Sequence, residues 1–222
     1  MSYPGGKNGA GVYQKIINLM PPHTVYIEPF LGGGAIMRNK KRAWKSIGID
    51  KDQDAINSFV GDFSVETHVG CGIEFLEGYD YKGGELIYCD PPYPHETRSK
   101  ANLYRYEMDV VDHLRLLKAI KHLPCKVMIS SYYTDLYAHE LKGWSYTEFE
   151  AMTRGGLRTE SLWFNFDTPV VLHDYSYLGE GFRERERIKR KKQRWVKKLK
   201  SLPLLEQQAL LAAIGDAGIS HR

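Results

Sequence analysis

The sequence predicts an α/β fold of the Rossmann-like type, with a mostly parallel sheet, a late antiparallel hairpin and a helical C-terminal extension. The first supporting observation is that short β-rich runs alternate with helical stretches from the start of the chain to about Leu172. The second is a change of rhythm after Trp144, where two longer β-rich runs flank a loop that contains glycine. Alternation of this kind favours a sheet covered by helices on both faces.

The individual elements follow from these patterns. Parallel strands are predicted at residues 25–27, 47–49, 86–89 and 127–129. Helices are predicted at residues 12–20, 35–41, 53–59 and 109–122, the last with one apolar face formed by Val110, Leu114, Leu117 and Ile120. Residues 146–152 and 161–166, joined by loop 153–158, predict the hairpin, and residues 170–172 predict a final strand.

Composition indicates a globular protein that does not cross a membrane. The 222 residues are 42% hydrophobic and 26% charged, which is ordinary for a globular domain with a sizeable core. No apolar run approaches the roughly 20 residues that span a bilayer, and the start lacks a basic-then-apolar leader, so we expect a cytoplasmic protein. Cys71, Cys89 and Cys125 are odd in number and widely spaced, which favours core thiols over disulfides or a metal site.

Asp90-Pro91-Pro92-Tyr93 is the most informative motif of the chain, because it directly follows the predicted buried strand at residues 86–89. Ligands of open α/β sheets bind at the carboxyl ends of strands. The two prolines cannot donate backbone N–H bonds, so the turn is stiff and its carbonyl oxygens stay free as acceptors. The Asp90 carboxylate and the Pro91 carbonyl could accept both N–H bonds of an amino group on a planar base, while Tyr93 stacks on the ring. A structural turn explains the four residues almost as well.

A glycine turn and an acid at a fixed distance predict a nucleoside cofactor. The strand at residues 25–27 leads into Gly32-Gly33-Gly34, which allow close approach of backbone to a ligand. Met37 occupies the place of the third glycine of a dinucleotide fingerprint. Asp50 follows Gly32 by 18 residues, near the spacing at which an acid binds ribose hydroxyls, although Asp50 could instead cap a helix. A ribose acid without a pyrophosphate site favours S-adenosylmethionine.

In this combination the sequence resembles the D12 class of adenine-specific DNA methyltransferases, as a short member of the phage or prophage type. The motifs are Tyr3-Pro4-Gly5-Gly6-Lys7, then Glu28-Pro29-Phe30-Leu31-Gly32-Gly33-Gly34, then Asp50 and finally Asp90-Pro91-Pro92-Tyr93. The resemblance covers roughly residues 3–166 and includes Arg158 to Asn165 as the late strand of the family. It implies the Rossmann-like fold of S-adenosylmethionine-dependent methyltransferases and methyl transfer to adenine N6 in DNA, inside a bacterial or virus-infected cell.

The resemblance also implies the site residues. Tyr3, Lys7 and the Glu28-Pro29-Phe30-x-Gly32-x-Gly34 turn would hold the cofactor, Asp50 would bind its ribose, and Asp90 would touch both the cofactor pocket and the target amine. Residues 1–180 then form the catalytic domain, and residues 181–222 a basic extension. An adenine N6 inside a duplex is out of reach, so the base must be flipped out or supplied single-stranded, and Tyr93 is expected to stack on it.

Candidate DNA contacts lie in two loops. The polar and aromatic segment 94–106 offers Arg98, Lys100, Asn102 and Tyr104, and the expected hairpin tip offers Arg154 and Arg158. A solvated turn is an equal alternative for the tip. Only 55 residues separate Gly34 from Asp90, where larger relatives place a target-recognition segment. Sequence selectivity must therefore be slight or come from these loops or the C-terminal helices.

The C-terminal extension predicts two helices, the first strongly basic. Eleven Lys or Arg and two Glu between residues 183 and 200 give that segment a charge of +9, which leaves −5 for the rest of a chain of net charge +4. A helix is expected from about Glu184 with Ile188, Trp195, Leu199 and Leu202 on one stripe. Pro203 should interrupt it, and residues 204–214 should form a second helix ended by Gly215. The basic helix could bind phosphates and its stripe a second subunit, or it could be a solvated helix packed on the body.

Alternative functions remain open from the sequence. The methyl group could go to cytosine N4, to RNA adenine or to a protein amide, since each presents a planar amino group. A non-catalytic nucleic-acid-binding protein that keeps the fold is a rival of a different class. A zinc deaminase is disfavoured because the chain has no Cys-x-x-Cys pair.

Overall fold

The computed structural model describes residues 6–7, 9, 11–59, 64–97, 105–153 and 156–217. Its strands are β1 (Val25–Glu28), β2 (Lys45–Asp50), β3 (Glu66–Val69), β4 (Glu85–Cys89), β5 (Lys126–Ser131), β6 (Ser145–Thr153) and β7 (Gly156–Phe164). Its α-helices are α1 (Val12–Ile17), α2 (Ala35–Asn39), α3 (Gln53–Asn57), α4 (Gly72–Gly78), α5 (Val110–Lys121), α6 (Asp135–Glu140), α7 (Phe182–Lys200) and α8 (Leu204–Asp216). A short 3-10 turn at His95–Thr97 follows β4.

The strands form one sheet in the order β3-β2-β1-β4-β5-β7-β6. β1 to β5 are parallel, and β7 lies antiparallel between β5 and β6. The chain builds outward from β1 to β3 and then returns to place β4 on the other side of β1, so the topological switch point lies between β1 and β4. The predicted Rossmann-like fold with a late antiparallel hairpin is confirmed.

The two faces of the sheet carry separate apolar layers, because successive strand residues point to opposite sides. In β4, for example, Leu86 and Tyr88 face one layer while Ile87 and Cys89 face the other, and all four are fully buried. Helices α1 and α2 cover the first face, and α4, α5 and α6 cover the second. The rigid, doubly covered sheet fixes the strand ends at the switch point.

Helix α5 buries a face that only partly matches the predicted one: Leu117 and Ile120 are buried as expected, but Val110 and Leu114 are not. Val110 is 60% exposed, and the buried positions are His113, Leu116, Leu117 and Ile120. A histidine occupies a core position here because its Nδ1 lies 2.9 Å from the Tyr137 hydroxyl, which satisfies its polar atom inside the protein.

The hairpin and the segment after it also differ from prediction. β7 begins at Gly156, so Arg158 lies within the strand and not at the tip. β7 ends at Phe164, where the Asn165 side chain takes over part of the pairing with β5: its Oδ1 accepts from the Val127 N–H, and its Nδ2 donates to the Cys125 carbonyl. Residues 170–172 form no strand, since Val170 is 84% exposed and β6 already occupies that edge of the sheet.

Three elements were absent from the prediction. β3 is an edge strand with a polar sequence, paired only with β2, so it lacks the apolar run of a buried strand. α4 begins and ends with glycine, which disfavours helix, and the packing of Ile73 and Leu76 supplies its stability instead. α6 has only six residues and depends on a Thr134 cap for its first turn.

The C-terminal helices bury no side chain. α7 ends at Lys200, and α8 begins after Pro203, as predicted. Gly215 does not end α8, because it keeps an ordinary negative φ and the helix continues to Asp216. Trp195 of the expected stripe is 63% exposed, whereas Ile188, Leu199 and Leu202 are half-buried. Among the helices of the described segments, none combines the length and apolar character that crossing a bilayer requires.

Candidate active site

The glycine turn links β1 to α2 at the switch point. Gly32 and Gly34 have φ angles of +47° and +58°, a region that side chains with a Cβ rarely adopt. A Cβ at Gly34 would also lie 2.2 Å from the Phe59 ring, so both conformation and space require glycine there. The turn therefore presents bare backbone to the cleft between β1 and β4.

Asp50 at the end of β2 ties the neighbouring turns together. Its Oδ2 accepts a hydrogen bond from the Gly32 N–H at 2.7 Å, and its Oδ1 accepts one from the Asp52 N–H at 2.8 Å. Burial raises the pKa of Asp50, while these backbone hydrogen bonds act in the opposite direction. Asp52, not Asp50, caps α3, so Asp50 is not the helix cap that the sequence left open as an alternative.

These elements line an open cleft at the switch point, the place where open α/β sheets bind ligands. The sequence-predicted residues that line it are Lys7, Glu28, Pro29, Phe30, Gly32, Gly34, Asp50, Asp90, Pro91 and Pro92. Further lining comes from Cys71, Gly72 and Ile73 at the start of α4, and from Tyr106, Met108 and Asp112. Prediction missed the α4 group because it did not find β3, the strand that delivers it to the cleft. Tyr3 lies outside the described residues.

Asp90 follows β4 and directs a largely buried carboxylate, 17% exposed, at the cleft. Its Oδ1 lies 2.8 Å from the Nζ of Lys7, which is itself only 3% exposed. Burial raises the pKa of Asp90 to about 6; the ammonium of Lys7 opposes this, and the carboxylate of Glu160 adds to it. Asp90 is therefore mainly ionised at neutral pH, but its pKa is close enough to neutrality that mild acid would protonate it.

Glu160 completes the surroundings of Asp90, and sequence reasoning did not select it. The Tyr93 hydroxyl accepts a hydrogen bond from Lys7 Nζ at 2.6 Å and donates one to Glu160 Oε2 at 2.8 Å. Glu160 Oε2 also lies 3.3 Å from Lys7 Nζ. The four side chains come from the start of the chain, the turn after β4 and the antiparallel strand β7, so only the fold brings them together.

Tyr93 differs in placement from the other residues of its motif. Its ring is 4% exposed, it packs edge-on against Tyr132 at 4.7 Å, and it is not among the residues that line the cleft. The half-buried Tyr132 ring, which covers part of Tyr93 through this contact, also faces the Arg158 guanidinium at 5.8 Å. Stacking of Tyr93 on a base requires this cover to move, since a ring must expose a face to stack.

Glu28 forms the floor of the cleft at the end of β1. It is 3% exposed, and burial raises its pKa to about 8, with the nearby charge of Asp90 as the second cause. Its Oε2 accepts a hydrogen bond from the Tyr26 hydroxyl at 3.2 Å. Lys40 Nζ lies 4.2 Å from the centre of the Tyr26 ring, and burial lowers the pKa of Lys40 to about 8. A neutral Glu28 below Asp90 avoids two adjacent buried negative charges.

The predicted nucleic-acid contacts are only partly visible. Arg98, Lys100, Asn102, Tyr104 and Arg154 lie outside the described residues, and Arg158 has the strand position given above. At the end of the same loop, Arg105 binds the carboxylates of Asp52 and Asp54 at 2.8 and 2.9 Å, and Tyr106 is 46% exposed beside the cleft.

Metal ligation finds no support in the described segments, which contain no cluster of His, Cys, Asp and Glu arranged to hold an ion. Cys89 is buried, Cys71 and Cys125 are half-buried, and all three are free thiols, as predicted. Burial raises the pKa of Cys125 to about 12, which makes this thiol a poor nucleophile at neutral pH.

Comparisons with known proteins give structural similarity alone. No protein-family model matches the chain, and no curated protein matches it. Precorrin 8W decarboxylase of Methanobacterium thermoautotrophicum is 11% identical, with 73% of this chain and 93% of that one covered at a TM-score of 0.48. An rRNA methylase of Streptococcus thermophilus is 12% identical, with 72% and 97% covered at a TM-score of 0.47. TrmK of M. capricolum, in complex with S-adenosylhomocysteine, is 12% identical, with 92% and 95% covered at a TM-score of 0.46. Identities and TM-scores this low show a similarity of fold and leave the function to the residues of the site.

Proposed function

We propose that this protein is an S-adenosylmethionine-dependent DNA methyltransferase that acts on adenine N6. The observation that carries the proposal is that one cleft is lined both by the Gly32 to Gly34 turn with Asp50 and by Asp90-Pro91-Pro92. A nucleoside cofactor and an amino group held by acceptors would therefore meet in the same space. The resemblance to the D12 class supplies adenine in DNA as the target, with residues 1–180 as the catalytic domain.

The cleft fits S-adenosylmethionine better than a dinucleotide. Met37, where a dinucleotide site has its third glycine, is 6% exposed and packs into the core, so the helix cannot approach the strand as a pyrophosphate site requires. The Asp50 carboxylate retains lone pairs beyond its two backbone hydrogen bonds and would accept from ribose hydroxyls. When bound, S-adenosylmethionine supplies an electrophilic methyl group, and the bare backbone at Gly32 and Gly34 would let it lie close to the strand ends.

Asp90 and Pro91 would orient the target amine. The lone pair of an exocyclic amine is delocalised into its ring, and two acceptors on its N–H groups favour a pyramidal nitrogen with a localised lone pair. The carboxylate of Asp90 would supply one acceptor and the carbonyl of Pro91 the other. Once the nitrogen had gained the methyl group, S-adenosylhomocysteine would be the leaving group and the nitrogen would release one proton to solvent. The charge of Asp90 would stabilise the cationic nitrogen until that proton leaves. Asp90 need not be a formal base.

Lys7 and Glu160 would keep Asp90 in place. A carboxylate so deeply buried has few partners, and Lys7 Nζ holds one of its oxygens at 2.8 Å. Glu160 and the Tyr93 hydroxyl in turn fix Lys7, so Lys7 and Glu160 would act on the reaction by positioning Asp90. Tyr93 remains the proposed stacking ring once the cover by Tyr132 is displaced, and the base would be flipped out of a duplex or taken from a single strand.

Product analysis would test the proposed function. Unmethylated DNA is incubated with the protein and S-adenosylmethionine carrying a labelled methyl group, and the DNA is digested to nucleosides for mass spectrometry. We expect N6-methyldeoxyadenosine, absent with Asp90→Asn. Detection of labelled N4-methylcytosine would show that the target base is cytosine and not adenine. A labelled product formed only with RNA would show that the substrate is RNA and not DNA. If no product forms and calorimetry detects no heat of S-adenosylmethionine binding, the alternative of a non-catalytic nucleic-acid-binding protein would be favoured. Sequencing the modified DNA would then reveal any site preference.

A further inference from the structure

Helix α7 concentrates positive charge on side chains that the protein leaves in solvent. Between residues 183 and 200 the net charge is +9, whereas the rest of the chain carries −5. No residue of α7 is buried, although its length of 19 residues makes it the longest helix among the described segments. A cationic helix of this size is not needed to complete the core, so its composition calls for a partner outside the fold.

The helix has two chemically different sides. At about 100° per residue, Ile188, Trp195 and Leu199 fall on one narrow stripe. Arg185 and Lys192 flank this stripe and donate to the carbonyls of Glu180 and Tyr175, each at 3.2 Å. These contacts turn the stripe side of α7 towards the preceding segment of the chain.

The opposite side is cationic and faces away. An arc of about 120° holds Arg190, Arg194 and Lys198 on one ridge, four residues apart. The same arc contains further exposed cations at Arg183, Lys191 and Lys197. Glu184 and Glu186 fall beside the arc and pair with Arg187 and Lys189. Arg187 also falls within the arc, where Glu184 pairs with it from the border, and the surface along the helix is otherwise cationic.

We propose that this outward face of α7 binds the phosphate backbone of nucleic acid and supplies most of the affinity of the protein for it. The proposal rests on the proposed function in so far as the substrate is a nucleic acid. A helix of 19 residues is about 28 Å long, close to one turn of a duplex, so successive phosphates can meet successive cations. The face has no sequence-reading geometry of its own, and its binding is independent of base sequence.

The charge of the remaining chain explains why such an element is required. A body of net charge −5 repels a polyanion at long range, and the carboxylates of Asp50, Asp90 and Glu160 are concentrated around the cleft. The salt-dependent attraction that normally brings a protein to nucleic acid must then come from a separate segment. α7 holds that charge outside the body and leaves the cleft free to select the target base.

An anionic membrane is the other polyanionic surface that a basic helix can bind, and the side-chain pattern argues against it. A helix that lies in a bilayer interface buries a broad apolar face. The apolar stripe of α7 is narrow, and Ile188 and Leu199 in it are already half-buried. Cations occupy most of the remaining circumference, which suits a polyanion approached in water.

A matched pair of variants of the full chain would test the proposal. Arg190→Gln, Arg194→Gln and Lys198→Gln together remove three charges from the ridge, while Lys118→Gln, Lys126→Gln and Lys142→Gln remove three exposed charges from the body. The probe is a fluorescein-labelled duplex of random sequence, with affinity measured by anisotropy between about 50 and 200 mM salt. An RNA hairpin and phosphatidylserine vesicles form the other two arms, and circular dichroism checks that both variants keep their helix content.

We expect the ridge variant to bind the duplex at least tenfold more weakly, with the slope of log affinity against log salt reduced by about 2 to 3, since each phosphate contact contributes about 0.9. The body variant should keep the parental slope. Loss of RNA binding alone would assign the face to RNA. An unchanged slope, an equal loss in the body variant, or loss of vesicle binding without loss of nucleic-acid binding would each overturn the proposal. Product analysis is independent of this result: DNA binding through α7 without a methylated nucleoside would reject the enzyme and keep the surface.

Discussion

Lys7 and Arg194 carry the same charge, but the protein places them in opposite environments. Lys7 is 3% exposed and lies within hydrogen-bond distance of Asp90 and Tyr93 beside the cleft. Arg194 is exposed on a helix that buries none of its side chains. A buried charge needs specific partners at fixed distances, whereas an exposed charge contributes a field that salt screens. In the cleft a few buried charges fix the positions of neighbouring side chains, whereas in α7 many exposed charges together would attract an anionic partner.

We expect the greatest loss of activity from a substitution among the buried charges of the cleft. Asp90→Asn keeps one acceptor oxygen for the target amine but removes the negative charge that would stabilise the cationic nitrogen, and we expect the rate of methyl transfer to fall at least about 10²-fold. The measurement is single-turnover transfer of labelled methyl to DNA. Asp80→Asn, an exposed acid outside the cleft, is the control. A parental rate for Asp90→Asn would show that the charge of Asp90 has no part in the mechanism.

A smaller effect is expected at the cofactor end of the cleft. Asp50→Asn keeps an oxygen for the Gly32 N–H but loses the charge-assisted hydrogen bonds to ribose, which corresponds to an affinity about ten- to thirtyfold weaker. Isothermal titration with S-adenosylmethionine measures it. Asp54→Asn is the control, since Asp54 belongs to the same segment without lining the cleft. Equal affinities of the two variants would show that Asp50 has only the structural role of linking β1 and β2.

Glu160→Gln would show whether Glu160 positions Asp90 for the reaction or only stabilises the folded protein. The Glu160 carboxylate contributes to the raised pKa of Asp90, so its neutralisation should lower that pKa from about 6. We expect kcat about tenfold lower, because Lys7 and Tyr93 lose a partner, and the acid limb of the pH–rate profile should move to lower pH. Glu150→Gln, on the exposed side of the paired strand β6, should leave the profile in place. A lower rate with an unshifted limb would indicate a structural role alone.

The smallest effect concerns stability. The folded protein holds a proton on Glu28 up to a pKa of about 8, while the unfolded chain releases it near the ordinary value of 4.5. The folded state therefore binds more protons between these values, and the free energy of unfolding should fall as pH rises from about 5 to 8. Glu28→Gln should flatten this decline, although Asp90 still contributes at the acid end.

Thermal unfolding at several pH values measures this difference. The Tm of Glu28→Gln minus the Tm of the parent should increase with pH, by up to a few degrees. The ridge variant of α7 should keep the parental pH dependence, because its charges are exposed in both the folded and unfolded states. A constant gap across the pH range would mean that Glu28 is not held protonated by the fold.

Sequence patterns predicted those elements whose information is local. The strands around residues 25–28, 47–49 and 86–89 are apolar runs, and Gly32, Gly34 and Asp50 hold the spacing of a nucleoside site, so the sheet and most of the cleft followed from them. β3 was missed because its polar residues depend on pairing with β2 for their conformation. The buried face of α5 was shifted because His113 finds its partner in Tyr137, 24 residues away.

The Rossmann-like fold, the turn that carries Asp90 and the uneven distribution of charge could be predicted from the sequence, because each depends on neighbouring residues or on a fixed spacing. Only the tertiary structure decided that Lys7 and Glu160 surround Asp90, that Tyr93 is covered, and that the ridge of α7 faces outward. The physical reason is that these facts depend on burial and on distances between strands far apart in the chain. An antiparallel β7 inserted beside β5 brings Glu160 to a parallel-strand edge, and no local pattern specifies that meeting.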